Sequence, residues 1–372
     1  MAISEEGYRK MIYFHLPGLF EFYDFYSVFL PLFREHREYF YDWCEIGSIY
    51  GAPVDCLWGG GRAGFGECNA KVVLKLMNEY NISPRLTFSN SLLREEHLSD
   101  KRCNDLCEMF YKESKAQSGI IVHSDLLLNY LKNKYPNFYF VSSTTKVITD
   151  FEEFKSEVDR KEFSYVVPDF RLNKDFENLE GLTQTQKNKV EFLCNECCWF
   201  GCKDRKNCYE AVSRKNLGEN QKEHICKSPT AQKGYRFSEA MKNPGFISIG
   251  DIENKYVPMG FSNFKIETVL KRDENLGKIK IKSGKDEYAN LKLKTDAVDL
   301  VNILEKNKYN YKITKNKVSA PLKVGDTVGT LTIYANDIKI KDIELTVDKD
   351  IKRANYFDYF KRNIKYFIRG CY

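Results

Sequence analysis

"IIVHSDLLLNYLKNKYPNFYFV", residues Ile120–Val141, reads as strand, helix, strand. "IIVH" (Ile120–His123) and "FYFV" (Phe138–Val141) are short β-branched or aromatic runs, and "SDLLLNYLKNKY" (Ser124–Tyr135) between them carries a helical pattern. The same alternation runs outward in both directions. Further strands are expected at Ile12–His15, Asp55–Trp58, Leu86–Phe88, Ser164–Val167, Val190–Leu193 and Phe264–Ile266, with a helix over Asn69–Tyr80 and another starting after Asp150 as its N-cap. Eight strands alternating with helices predict a parallel (β/α)8 TIM-like barrel, with a doubly wound open sheet as the rival. No G-x-G-x-x-G opens a helix after a strand, and "GGGRAGFG" (Gly59–Gly66) has the wrong spacing for a dinucleotide site.

A chain of 372 residues exceeds one ordinary core, and 42% hydrophobic with 14% aromatic residues is ample for two packed units. Charge is uneven. From Lys271 onward 23 Lys and Arg face 14 Asp and Glu, whereas the preceding 270 residues carry 35 against 38. The texture changes at the same place. "GKIKIKSGKDEYANLKLKT" and "VGTLTIYANDIKIKDIELTV" alternate residue by residue, as half-exposed antiparallel strands do. Tyr356, Phe360, Ile364 and Phe367 then return to helical spacing, with cations alongside. The expected domains are a barrel with a cysteine cluster over 1–270, a small antiparallel all-β domain over 271–350 and a C-terminal amphipathic helix over 351–372. The opening "MAISEEGYRKMIYFHLPG" has acidic residues where a secretory signal needs basic ones, and no stretch approaches a membrane span. The expected location is therefore cytoplasmic, where twelve cysteines read as thiols or metal ligands.

Four of those cysteines fall in nine positions, "CNECCWFGC" (Cys194–Cys202), directly after the strand "VEFL". That places them at the C-terminal rim of the barrel, where barrel enzymes keep their chemistry. Cys198 and Cys202 form a C-x3-C pair, and Cys208 and Cys226 complete the expected metal-ligand set, ahead of Cys194 and Cys68. Grouped thiolates suit an iron–sulfur cluster or zinc. The ragged spacing from Cys208 to Cys226 fits a cluster better than a zinc knuckle. Buried packing thiols are the competing reading, which fits Cys103, Cys107, Cys44 and Cys56.

"FLCNECCWFGCKDRKNCY", "GFSNFKIE" and "LWGGGR" resemble the barrel proteins of the bacterial collagenase-like peptidase family over residues 10–267. Asn195, Glu196, Cys198, Cys202 and Arg205 fall on the family pattern, while Cys208 stands where a His is usual and "FKIE" continues as "TVLKRD" in place of G-R. The resemblance implies a [4Fe–4S] cluster and a role such as oxygen-independent hydroxylation of RNA or quinone precursors, beside a weakly founded peptidase label. On it Asn195 and Arg205 are cofactor-binding candidates. Arg62 of "GGGR" joins them as counter-charge to a phosphate or carboxylate, although that stretch equally suits a tight turn.

The tail, centred on "APLKVGDTVGTLTIY" (Ala320–Tyr334), resembles the C-terminal domain of D-alanyl-D-alanine carboxypeptidases, the low-molecular-mass penicillin-binding proteins. That family ends in a helix lying on the membrane. The tail is thus expected to dock on the inner leaflet or on a protein partner. The S-x-x-K of "SSTTK" (Ser143, Lys146) and the "KSG" at Lys282 read as coincidence, because Ser143 ends a strand and "KSG" lies in the tail.

His123, Asp169 and Glu196 end or follow strands on one rim and are the acid–base candidates, whereas His15 reads as a satisfied core histidine. The leading expectation is an iron–sulfur barrel enzyme acting on a small-molecule, peptide or RNA-linked substrate, with no nucleic acid assigned. The alternatives are a membrane-associated binding protein with a structural metal and a cell-wall carboxypeptidase relative.

Overall fold

The computed structural model describes residues 11–54, 56–61, 68–219, 224–229, 241–267, 278–286, 288–293, 309–335, 338–355 and 358. The chain divides into two units, with the break between Val269 and Leu270.

The first unit is the barrel. Its strands are β1 (Ile12–Pro17), β2 (Cys44–Gly51), β3 (Pro84–Phe88), β4 (Gly119–Val122), β5 (Tyr139–Ser142), β6 (Phe163–Val166), β7 (Glu191–Leu193) and β8 (Asn263–Lys265). They pair in the order β6-β5-β4-β3-β2-β1-β8-β7, all parallel. A parallel bridge from Val166 to Val190, the residue before β7, joins the two ends and closes the cylinder. The open-sheet alternative is thereby set aside.

Helices cover the outside because their apolar faces match the outward residues of the strands. Helix α1 (Tyr23–Glu35) buries Tyr26, Leu30 and Phe33. In α2 (Ala70–Tyr80) Val73, Leu74, Leu76 and Met77 face in, and the Asn69 side chain accepts from Lys71 N–H to start the helix. Helix α3 (Lys101–Glu113) buries Cys103, Leu106, Cys107 and Phe110, and α4 (Asp125–Lys134) buries Leu127, Leu128 and Leu131 behind a Ser124 cap. Helix α5 (Phe151–Asp159) begins at the expected Asp150 cap. Then come α6 (Phe176–Glu180), α7 (Gln184–Lys189) and α8 (Arg205–Asn216). Cys103 and Cys107 are packing residues, fully buried in this shell, and Cys56 lies with its sulfur 3.1 Å from that of Cys103.

One expected strand is misplaced. The second strand is "CEIGSIYG" (Cys44–Gly51), whereas Cys56–Trp58 sits in the loop after it. Gly47 has a packing reason: a Cβ there would stand 2.6 Å from the His15 ring. Trp58 is buried in its loop by an indole N–H bond to the His97 carbonyl, 2.8 Å. The glycines beside it are a close backbone approach, since a Cβ on Gly60 would meet the Ser89 backbone at 2.2 Å. Arg62 lies outside the described residues.

The second unit is a six-stranded sheet of β9 (Lys278–Lys282), β10 (Tyr288–Leu293), β11 (Tyr309–Lys315), β12 (Val318–Ser319), β13 (Gly329–Ala335) and β14 (Ile338–Val347), ordered β11-β13-β14-β10-β9-β12. All pairs are antiparallel except β12 with β9. Alternation buries Ile279, Ile281, Leu291, Leu331, Leu345 and Val347 on one face. Of the expected terminal helix, Ile351–Asn355 and Asp358 are described; Ile351 is buried and bridges Leu322, and Arg353 bridges Gly284. Those residues belong to the sheet module, and the remainder of that helix lies outside the described residues. Among the described residues no helix is long and apolar enough to cross a membrane.

Candidate functional site

The cysteine loop leaves β7 at the carboxyl end of the barrel, as the sequence implied. Cys194 is buried in the apolar core. Its N–H donates to the Lys265 carbonyl at 2.9 Å, its thiol is buried among apolar residues, and burial pushes the thiol pKa far up. Cys68 is also set apart, its N–H bonded to the Phe20 carbonyl and its side chain packed on the outer core. No described cysteine is in a disulfide.

The rest of the loop is held by a buried ionic network. Arg205, at the start of α8 and 1% exposed, donates to Asp169 Oδ2 at 2.8 Å, to Glu196 Oε2 and to the Tyr209 hydroxyl at 2.9 Å. Its guanidinium lies 4.8 Å from the centroid of the Phe170 ring. Asp169 also accepts from Arg171 Nε at 2.6 Å, and Arg171 in turn donates to the Cys202 carbonyl at 2.9 Å. Glu196 Oε1 accepts the Cys198 N–H at 2.9 Å, and Asn243 donates to the Cys198 carbonyl at 2.7 Å. The backbone of both Cys198 and Cys202 is therefore fixed by buried charge. Asn195 clamps the neighbouring loop after β8, with Nδ2 3.0 Å from the Glu267 carbonyl and Oδ1 accepting the Glu267 N–H at 2.7 Å.

Asp169 and Glu196 are both engaged by guanidinium groups, and through these contacts they hold the loop. His123 stands elsewhere on the rim, its Nδ1 2.9 Å from Thr145 Oγ1. Burial, with Lys146 and Lys206 adding to it, lowers its pKa to about 4, so it is neutral at pH 7. Ser143 and Lys146 are not a nucleophile pair. The Ser143 hydroxyl accepts from Thr145, and the Lys146 amine is ion-paired to Glu157.

The donor set suits a thiolate-bound group. Arg205 Nε is buried without a hydrogen-bond partner, and although burial opposes it, Glu196 with Tyr209, Asp169 and Cys198 raises the Arg205 pKa, so Cys198 lies within the field of a fixed guanidinium. Cys208 lies in the first turn of α8, its N–H on the Asp204 carbonyl. Asp204 also holds His224 at 3.7 Å and Lys227 at 3.5 Å, residues on either side of exposed Cys226. Among the described residues no three of these four sulfurs lie within 4.8 Å of one another. A zinc ion with Zn–S bonds of about 2.3 Å would draw them closer than that. The donor atoms that do meet within 4.8 Å are those of Glu196, Cys197 and Glu267.

A second cluster escaped the sequence reading. Inside the barrel, Arg85 Nη1 lies 2.5 Å from Glu191 Oε2, and Arg85 Nε donates to the Tyr139 hydroxyl at 2.8 Å. His15 is hydrogen-bonded to Ser48 at 2.8 Å, as a core histidine should be. Burial and Arg85 push its pKa down to about 3. Burial alone would raise the Glu191 carboxyl, but Arg85, His15 and Lys265 together hold it at about 2. Gly119 makes room for this layer, since a Cβ there would stand 2.4 Å from the Tyr139 ring. These residues are scattered singly over β1, β2, β3, β5, β7 and β8, and no local window contains them.

Residues 264–353 match the family described as Penicillin-binding protein 5, C-terminal domain. That match ends at Arg353, which bridges Gly284 in the sheet module. The chain is 25% identical over 117 residues to D-alanyl-D-alanine carboxypeptidase DacF of Bacillus subtilis (strain 168), a match covering 30% of this chain and 29% of that protein. It thus spans less than a third of that relative. The solved structure of the U32 peptidase Mk0906 is similar over 73% of this chain and 98% of that one, at 12% identity and a TM-score of 0.44. The barrel assignment rests on this chain's own strand order. The C-terminal unit carries a domain of the carboxypeptidase C-terminal type, joined here to a closed parallel barrel.

Proposed function

We propose that the chain is an iron–sulfur barrel enzyme of the collagenase-like peptidase class, with Cys198, Cys202, Cys208 and Cys226 as cluster ligands. The observation that carries this reading is the cost of the loop's support. Three fully buried ionic groups, Arg205, Asp169 and Glu196, are spent on fixing the backbone of two half-buried cysteines. Buried ion pairs of this kind add little net stability, so geometry is the better reason to keep them. A bound cluster would supply one-electron transfer, which the side chains lack. The chain's own part is to hold Cys198 and Cys202 in register, to set Arg205 against a thiolate and to keep His123 neutral at the rim. The substrate class is a small-molecule, peptide or RNA-linked compound, and the compartment is the reducing cytosol, where such thiolates persist. The basic tail then serves as a docking module for a membrane surface or a protein partner. A carboxypeptidase activity is not favoured, because Ser143 and Lys146 are committed elsewhere.

Anaerobic purification followed by absorption spectroscopy tests the ligand set. A broad band near ~400 nm that disappears in the Cys198→Ala/Cys202→Ala variant is expected. Zinc with no such band would instead favour a structural metal in a binding protein.

A further inference from the structure

The interior cluster contains one charged group that makes no hydrogen bond. Lys265 is the last residue of β8, at the carboxyl end of a barrel strand, with its side chain 7% exposed. Its Nζ lies 3.1 Å from the centroid of the Tyr50 ring and 3.6 Å from Glu191 Oε1. Neither Nζ nor Oε1 has a hydrogen-bond partner. Arg85, in contact with the other oxygen of the same carboxylate, shows what a structural cation looks like here. It is hydrogen-bonded to Glu191 and Tyr139 and lies 4.7 Å from the Tyr165 ring centroid. A buried amine held by a 3.6 Å ion pair and a ring face, with no hydrogen bond, is costly for packing alone. The carboxyl ends of barrel strands are where reactive groups are carried.

We propose that Lys265 is an amine nucleophile that forms an imine with the carbonyl group of an aldehyde or ketone entering the mouth of the barrel. Tyr50 walls one side of the amine and is itself fixed by a 2.6 Å bond from its hydroxyl to the Ile266 carbonyl. The neutral amine gives its lone pair to the carbonyl carbon while the C–O π pair moves to oxygen. The Glu191 carboxylate relays two protons in turn from nitrogen to oxygen: the first gives the carbinolamine hydroxyl, and the second lets that hydroxyl leave as water as the nitrogen lone pair forms the C=N bond. No electron is transferred and one water is released. Burial lowers the amine's pKa to about 8, with Glu191 opposing and Arg85 reinforcing the shift. Roughly a tenth of it is neutral at pH 7, against well under a thousandth of an ordinary lysine. None of these groups is a proposed cluster ligand, so either reading can fail without the other.

The test treats the full chain with glyoxylate and sodium cyanoborohydride at pH 7 and maps the reduced adducts by peptide mass spectrometry. Lys265 is expected to be labelled at least about tenfold faster than Lys101, which is 88% exposed. Its rate should climb with a midpoint near the amine's value of about 8. Labelling no faster than Lys101, or protection of Lys265 while surface lysines react, would overturn the proposal and leave Lys265 a structural cation.

Discussion

Among the described residues two guanidinium groups are buried in the barrel, and their surroundings differ in one respect. Arg205 at the rim faces two carboxylates, Asp169 and Glu196, and both of those also grip the cysteine loop or its Arg171 support. Arg85 in the interior shares a single carboxylate, Glu191, with a second cation, Lys265. The first arrangement spends all its charge on holding a backbone segment still. The second leaves an amine without a hydrogen bond. Buried charge in one fold thus does two jobs: at the rim it makes a rigid frame, and inside it keeps a group poised.

The sharpest way to break this contrast is to remove each guanidinium. Arg205→Met strands the buried Glu196 carboxylate and leaves Asp169 to Arg171 alone, and should cost about 3–5 kcal/mol in urea unfolding, with loss of the bound iron. Arg85→Met leaves Glu191 still facing Lys265 and should cost less. Equal losses, or iron retained in Arg205→Met, would contradict the frame role. Next in size is Gly119→Ala, which pushes a methyl into the Tyr139 ring that supports Arg85. A loss of about 1–3 kcal/mol without loss of iron is expected, since the interior layer is separate from the loop.

The interior layer also predicts a pH dependence. The unfolded chain protonates His15 near 6.5, but the folded chain resists protonation down to about 3. Stability therefore falls as pH falls through that window, by about 1.4 kcal/mol per pH unit for one such group. His123, held at about 4, adds a second share. Measured between pH 6.5 and 5, above the range where carboxylates titrate, His15→Asn should remove one share of the slope. An unchanged slope would mean that the buried ring is already charged. The smallest effect concerns Cys194, whose thiol is buried among apolar residues. Cys194→Ala should cost about 1 kcal/mol and leave the iron content intact, whereas Cys198→Ala should lose iron.

How much of this was legible in the sequence follows from locality. Asp150 could be read as a cap because a cap is a local device, and the cysteine loop stood out because its thiols are neighbours in the chain. The second strand was missed because Gly47 and Ser48 look unlike a strand, yet they are small where the His15 ring needs room. "DCLW" read as a strand from its short apolar run, but Trp58 is buried by a loop. The interior cluster was illegible for a stronger reason. Arg85 and Glu191 meet across 106 residues, and only closure of the barrel makes them neighbours.

The most direct test of the account is the iron, sulfide and zinc content of the full chain purified without oxygen and, if empty, reconstituted. About four iron and four sulfide per chain, falling toward zero in Arg205→Met, is the predicted result. Zinc in their place, or no metal in either form, would contradict the claim that the buried frame exists to hold a cluster.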